Sequence, residues 1–346
     1  MTRATLRRTT EPAPHAVAGK TMKAILQDEY GSEPEGLLRF AEVAKPSIGN
    51  DEILVRVRAA SVDRGTWHVM AGLPYPVRLA GFGLRRPKAL NPGRSLAGTV
   101  ESLGKGVTGF KPGDEVYGAA EGVFAEYAVA GAARLALKPA NLSFEQAAAV
   151  PISGMTALQA VRDQAQVRAG QKVLVIGASG GVGTFAVQIA KAFGAEVTGV
   201  CSTAKMDLVR ALGADHVLDY TKDDIADGEH RYDVVLDIGG NRRLSHLRRA
   251  LTPHGRLVII GGETGGRWIG GFDRGIRGQL LSPFVGQKLG SLMASENSGD
   301  LVVLKGLLEE GQITAAIDRT YPLSDVAAAI RHMIDGRARG KVVITV

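Results

Sequence analysis

The chain has 346 residues, 45% hydrophobic and 22% charged, which suits about two domains with packed cores and excludes a disordered or low-complexity protein. A single cysteine, Cys201, excludes a disulfide framework and any Cys-rich zinc site, and no run of about 18 apolar residues exists to span a membrane. The net charge is +7, yet Arg3, Arg7, Arg8 and Lys20 place part of it in a tail rich in Thr, Ala and Pro, and aromatics at 5% are thin for stacking on nucleic-acid bases.

That tail, residues 1–21, reads as a disordered extension, with an Arg-rich targeting peptide as the sharper alternative. No secretory signal is expected, and the cysteine usage fits a reducing cytoplasm. Met22 to Leu26 reads as the first short strand. Residues 52–60 alternate apolar and charged side chains, as a half-buried strand does. A loop-and-turn region follows over 61–92, punctuated by Pro74, Pro76, Pro87 and Pro92. Short strands are predicted at 96–104, 113–118 and 124–129, so the first part of the chain is mostly antiparallel β. Ser143 and Gln146 form a capping box for Ala-rich helix that runs to about 165.

From there strands and helices alternate. Strands are predicted at 172–176, 196–200, 216–218, 234–237 and 256–260, with helices at 183–193, 205–212 and 243–251. Repeated βα units imply a parallel sheet covered on both faces. The glycine-rich region 263–297 is read as holding one more strand near 279–281. A helix over 301–308, a helix capped by Ser324 and a closing strand at 342–346 complete the chain.

The sharpest local signal is the turn from Gly177 through Ala178, Ser179, Gly180, Gly181 and Val182 to Gly183. It follows an apolar strand and opens a helix, the setting of a dinucleotide fingerprint with Ala178 in place of the first glycine. Gly180 lets the backbone approach a pyrophosphate, Gly183 lets helix and strand pack closely, and the helix N-terminus supplies N–H groups for phosphate. The same letters match the G-x-S-x-G elbow of hydrolases, with Asp237 and His254 following in order. His254 precedes its strand, however, and so falls at the wrong edge of the sheet. After the second strand the chain reads Cys201, Ser202, Thr203, Ala204, Lys205, with no carboxylate until Asp207. Hydroxyls and a lysine suit the 2′-phosphate of NADP(H). Ser202 or Thr203 can equally cap a helix and Lys205 be solvated, and both readings can hold together.

These segments resemble the medium-chain dehydrogenase/reductase superfamily, and most closely its zinc-free, zeta-crystallin-like quinone oxidoreductase branch. The likeness runs from Met22 to Val346. It is carried by Ala97–Val100, Phe110–Val116, Phe124–Tyr127, Ala147–Pro151, Gly154–Ala157, the turn at Gly177, Gly213–Tyr220 and Gly340–Val343. The resemblance implies a β-rich GroES-like catalytic domain (22–148 and 285–346) around a Rossmann domain (149–284). It further implies that Ser202 and Lys205 hold the 2′-phosphate and that Tyr220 lies near the adenosine ribose. Ile238 and Gly239 would line the cofactor groove, Ile260 and Gly261 would approach the nicotinamide, and Thr156 and Lys341 would flank the cofactor from the domain junction.

Zinc-dependent relatives place a cysteine near Asp63, a histidine at Arg94 and an acid at Ser95, and none of these is present here. The seven histidines show no ligand spacing, so no zinc is expected. Without a Lewis acid, the open reactions are hydride transfer to a quinone or to the β-carbon of an enone. Candidate proton donors are Asp63, His68 and Tyr75. Each has a plainer role available: a turn cap, a packing residue and a rigid Pro-flanked loop residue, respectively. The expectation is an NADPH-dependent, zinc-independent reductase of small-molecule quinones or enones, cytoplasmic and homodimeric by family analogy, with no membrane partner and no nucleic acid. A metal-free alcohol dehydrogenase or carbonyl reductase, and a cofactor-sensing or RNA-binding protein, are the alternatives.

Overall fold

The computed structural model describes residues 16–240, 242–262 and 266–346. Short apolar runs in its middle form a six-stranded parallel sheet from Lys172–Ile176, Glu196–Cys201, His216–Asp219, Tyr232–Asp237, Leu251–Ile259 and Lys288–Ser291. Numbered in chain order, these strands lie 3-2-1-4-5-6 across the sheet. That order reverses direction between the first and fourth strands and opens a crevice at their carboxyl ends. Both faces are covered, which explains why the strands read as continuous apolar runs. Val173 and Val175 pack into one core with Phe185, Val187 and Ile189 of the helix Gly181–Ala192. Leu174 and Ile176 point to the other face, against Leu247 and Leu257.

Of the remaining strands, Ala16–Leu26 and Arg39–Pro46 form a two-stranded sheet, and the others build a seven-stranded β-rich sheet whose order begins Ile317–Pro322, Lys341–Thr345, Glu52–Val62, Ser95–Leu103. The last strand of the chain lies antiparallel to Glu52–Val62, with Val342 opposite Val62. The residue before Val342 is thereby set beside the residue after Val62. Among the described residues no helix is long and apolar enough to cross a membrane.

Four sequence expectations change. The expected extension at 1–21 lies outside the described residues as far as 15, but a strand, Ala16–Leu26, starts within it and pairs with Arg39–Pro46. Main-chain pairing orders a segment that has no apolar pattern of its own. The expected strand at 279–281 is the end of a helix, Phe272–Leu281; Ile276 and Leu280 sit one turn apart, a helical spacing. The sixth parallel strand is instead Lys288–Ser291, paired with Leu251–Ile259. The parallel sheet therefore extends past residue 284, where the sequence places its end. Finally, the loop expected from residue 61 contains a helix, Arg64–Ala71, whose start is fixed by the Asp63 N–H donating to Thr66 Oγ1 (3.3 Å).

Candidate active site

The glycine turn sits at the crevice. Gly177 has φ +85° and its N–H, like that of Ala178, donates to Val200 O of the second strand. A Cβ on Gly183 would stand 2.1 Å from Gly177 O, so only glycine lets the helix start this close to the strand. A Cβ on Gly180 would meet only Gly177 O, at 3.4 Å, so one side of that residue is open. The amides that open the helix Gly181–Ala192, those of Gly181, Val182 and Gly183, have no intrahelical acceptor. Ser179 is buried, and its carbonyl accepts from Gly340 N–H (2.9 Å). This contact draws the start of the closing strand over the turn.

Lys341 follows directly. It is 1% exposed, and its Nζ donates to Asp63 Oδ1, to Val62 O (3.2 Å) and to Ser153 Oγ (3.1 Å). Ser153 Oγ donates in turn to Asp63 Oδ1 (2.6 Å). Asp63 Oδ2 is buried and has no hydrogen-bond partner. A Cβ on Gly181 would lie 3.1 Å from both Lys341 Cδ and Ser153 Oγ, so this glycine makes room for the pair at the helix N-terminus. Thr156, one turn beyond Ser153 in the helix Pro151–Leu158, is half-buried and donates to Ile152 O (2.7 Å).

At the end of the second strand, Ser202 precedes a short turn, Thr203–Lys205, and its carbonyl accepts from Lys205 N–H (2.9 Å). Lys205 Nζ donates to Gly336 O and Ala338 O, both at 2.7 Å, and burial lowers its pKa. Thr203 Oγ1 donates to Asp219, and Tyr220 is 56% exposed beside it. Cys201 is buried and burial pushes its thiol pKa up, which makes it inert.

Asp219 anchors this corner. Hydrogen bonds from Thr203 and Thr221 hold its carboxyl below the usual carboxylate range. A depressed carboxylate stabilises the fold above its unfolded pKa of about 4, and that contribution is lost as pH falls through the lower folded value. Asp219→Asn is therefore expected to flatten the acid side of the stability curve below about pH 4. Urea midpoints from pH 5 to pH 2.5 check this, and parallel curves for the two proteins would refute it.

Ile238 and Gly239 close the crevice after the fourth strand, each N–H donating to Ile176 O (3.1 Å). Ile260 and Gly261 follow the fifth strand and donate to Asp237 O. Beneath them the buried Asp237 carboxylate pairs with Arg274 (2.6 Å), which also donates to Gly261 O (2.7 Å) and Arg242 O (2.9 Å). Burial pushes the Asp237 carboxyl pKa up, against the pull of Arg274. Arg274 and Ser153 were not singled out from sequence, and Asp237 was named there only as the acid of a hydrolase reading. Ser153 lies three residues before Thr156, on the same helical face, and that spacing was the available signal.

The three proton-donor candidates have separate partners. Asp63 is held by Lys341 and Ser153. His68, in the last turn of Arg64–Ala71, has its Nδ1 on Leu73 O (2.8 Å). Tyr75 packs edge-on against Trp268 (5.1 Å) with Arg78 over its ring (5.0 Å). At the other zinc-ligand positions, Arg94 pairs with Glu296 (2.5 Å) and Ser95 Oγ donates to Ala148 O (3.0 Å).

The chain matches two family models, "Alcohol dehydrogenase GroES-like domain" over residues 49–140 and "Zinc-binding dehydrogenase" over 212–344. It is 31% identical over 341 residues to the chloroplast envelope quinone oxidoreductase homolog of Arabidopsis thaliana, covering 95% of this chain and 99% of that one. The chain belongs to the medium-chain dehydrogenase/reductase superfamily, in its quinone oxidoreductase branch. Another relative is the 2-methylene-furan-3-one reductase of Solanum lycopersicum, 33% identical over 338 residues, 93% of this chain and 79% of that one. Among solved structures, a mycobacterial protein complexed with NADPH superposes with a TM-score of 0.80 at 27% identity, covering 94% of this chain and all of that one. This medium-chain oxidoreductase thus has the two-part architecture its motifs imply: a GroES-like β-rich unit and a Rossmann sheet.

The second model's description names zinc, so the donor set matters. A catalytic zinc needs three protein ligands converging on one point. In this oxidoreductase the carboxylate at 63 carries a lysine ammonium, position 94 is a guanidinium and position 95 a hydroxyl turned to a carbonyl. These residues do not fit zinc. Among the described residues, the cluster of side chains close enough to share an ion is Asp227, Glu229 and His230, all exposed on a turn far along the chain from those positions.

Proposed function

We propose that the protein is an NADPH-dependent, zinc-independent reductase that passes hydride to a quinone or to the β-carbon of an α,β-unsaturated carbonyl. The observation that carries this reading is Lys341, seated with Asp63 at the N-terminus of the Rossmann helix, where relatives that use zinc would place a metal ligand. The cofactor fits the residues present. Gly180 leaves open space beside the turn, the first amides of the helix have no acceptor within it, and the buried, unpartnered Asp63 Oδ2 calls for a donor such as a ribose hydroxyl.

In this reading Ser179, Gly180, Gly181, Val182 and Gly183 cradle the pyrophosphate, with Lys341 as its cation. Ser202, Thr203 and Lys205 take the 2′-phosphate, and Tyr220 covers the adenosine ribose. Ile238, Gly239, Ile260 and Gly261 line the groove, and Thr156 flanks it. Residues 22–148 with the C-terminal segment present the substrate side, and the parallel-sheet unit presents the cofactor. NADPH supplies two electrons and one hydrogen as hydride, and the reduced acceptor needs one further proton. Orientation of cofactor and acceptor is the protein's main contribution. Of the three candidates, the Tyr75 hydroxyl is not engaged by any hydrogen bond among the described residues, so it is the favoured proton donor.

Rates of NADPH oxidation with benzoquinone, an enone, an aldehyde and a simple alcohol test the assignment. Activity confined to the alcohol and aldehyde, or abolished by a chelator, would refute it. Tyr75→Phe is expected to lower kcat with the enone by about tenfold or more, within the range of general acid catalysis, and to leave the quinone, which takes hydride more readily, nearly unchanged. Equal losses for both acceptors would reduce Tyr75 to a packing residue.

We further propose a cytoplasmic homodimer. The sheet edge Lys288–Ser291 ends the parallel sheet, and the exposed Leu280, Phe284 and Met293 flank it in sequence. Light scattering of the wild type and of Leu280→Lys, Phe284→Lys would separate dimer from monomer.

A further inference from the structure

A groove of about 590 Å³ runs between the helices Leu244–Arg249 and Phe272–Leu281, at the outer corner of the parallel sheet. Its lining carries five arginines, Arg242, Arg243, Arg248, Arg274 and Arg277, against one carboxylate, Asp273. The five are not equally committed. Arg274 is spent on Asp237 and two carbonyls. Arg248 donates to Gln287 Oε1 (3.0 Å). Arg277 reaches Asp273 at 3.4 Å in an exposed pair, a contact that contributes little. The side chains of Arg242 and Arg243 make no hydrogen bond or close ion pair with any described residue, although the charge of Arg242 also acts on the carboxylates of Asp224 and Asp237.

Like charges gathered in a concave site repel one another and raise the local concentration of anions. Guanidinium forks match phosphate oxygens two at a time, which lysines cannot do. The volume lies within the roughly 300–1,000 Å³ of small-molecule sites. No aromatic residue lines the groove, so it offers no platform for stacked bases of a single strand. None of the lining residues belongs to the glycine turn, the second-strand turn or the Lys341 pair.

We propose that this groove is a second ligand site, for a short polyphosphate chain, either free or as the phosphate tail of a nucleotide. Arg242, Arg243 and Arg277 bind the phosphates, and Leu244 and Leu281 supply the apolar part of the wall. The site is separate from the dinucleotide crevice. Arg274 forms a wall of the groove and also holds the Gly261 carbonyl at the crevice, so the two sites share one side chain.

Calorimetric titration of the full chain with tripolyphosphate, and in parallel with ATP, tests this with and without saturating NADPH. Saturable binding at one site per chain is expected, retained when NADPH is present. Arg243→Ala/Arg277→Ala, at two exposed positions, is expected to weaken it by about tenfold or more, as loss of charge-assisted hydrogen bonds does. Lys205→Ala should leave it unchanged. Equal affinities for the two probes would identify the phosphate chain as the ligand, and tighter binding of ATP would identify a nucleotide; either supports the site. No saturable binding, full competition by NADPH, undiminished binding to the double variant, or binding of an RNA oligonucleotide with none of tripolyphosphate would overturn it.

Discussion

Lys341→Ala is expected to cost about 3–5 kcal/mol of unfolding free energy, because it strands the Asp63 carboxylate in a buried site with one donor left, Ser153. The lysine and its carboxylate are both nearly inaccessible, so water cannot replace the lost ammonium. Asp63→Asn/Lys341→Ala removes the charge as well as its partner and should recover most of that stability. Cofactor affinity is expected to separate from stability. If Lys341 is the pyrophosphate cation, the double variant stays at least about tenfold weaker for NADPH although it is again well folded. Urea unfolding and fluorescence titration of the wild type and the two variants check both parts. Equal instability of the single and double variants would show that charge is not what couples the pair. Restored NADPH binding in the double variant would confine Lys341 to a structural role.

Lys205→Ala is expected to weaken NADPH binding by about 10- to 100-fold and to leave NADH nearly unaffected, since a charge-assisted hydrogen bond is worth roughly 1.5–3 kcal/mol and NADH has no 2′-phosphate. Ser202→Asp should go further, adding a carboxylate that repels the phosphate and accepts from a free 2′-hydroxyl. The fold supplies a sharp alternative. Lys205 Nζ is a strut to Gly336 O and Ala338 O, tying the second-strand turn to the loop that leads into Lys341. If that were its whole role, Lys205→Ala would weaken both cofactors alike by loosening the closing strand. Binding constants for NADPH and NADH on the wild type and both variants decide between the two.

The legible parts of this protein are those whose cause is local. The run Lys172–Ile176 followed by a turn of glycines could be recognised because strand, turn and helix start are adjacent in the chain, and because a Cβ at Gly183 is sterically forbidden wherever that turn occurs. The alternation of buried strands with amphipathic helices likewise required the parallel sheet. The Asp63–Thr66 start of Arg64–Ala71 is equally local, yet the prolines downstream masked it as loop.

What the tertiary structure alone decided depends on pairings across long stretches of chain. The strand Lys288–Ser291 contains a glycine and has weak strand preference; its ladder with Leu251–Ile259 makes it a strand. Asp237 and Arg274 meet because the carboxyl end of the fourth strand faces the helix Phe272–Leu281, and no spacing in the sequence records that. Asp63 and Lys341 are 278 positions apart. Each was noticed separately, one as a candidate acid and the other as a cofactor contact. Their meeting follows from the register of the closing strand, which sets Val342 opposite Val62 and carries the lysine into a buried site where a lone carboxylate would be costly.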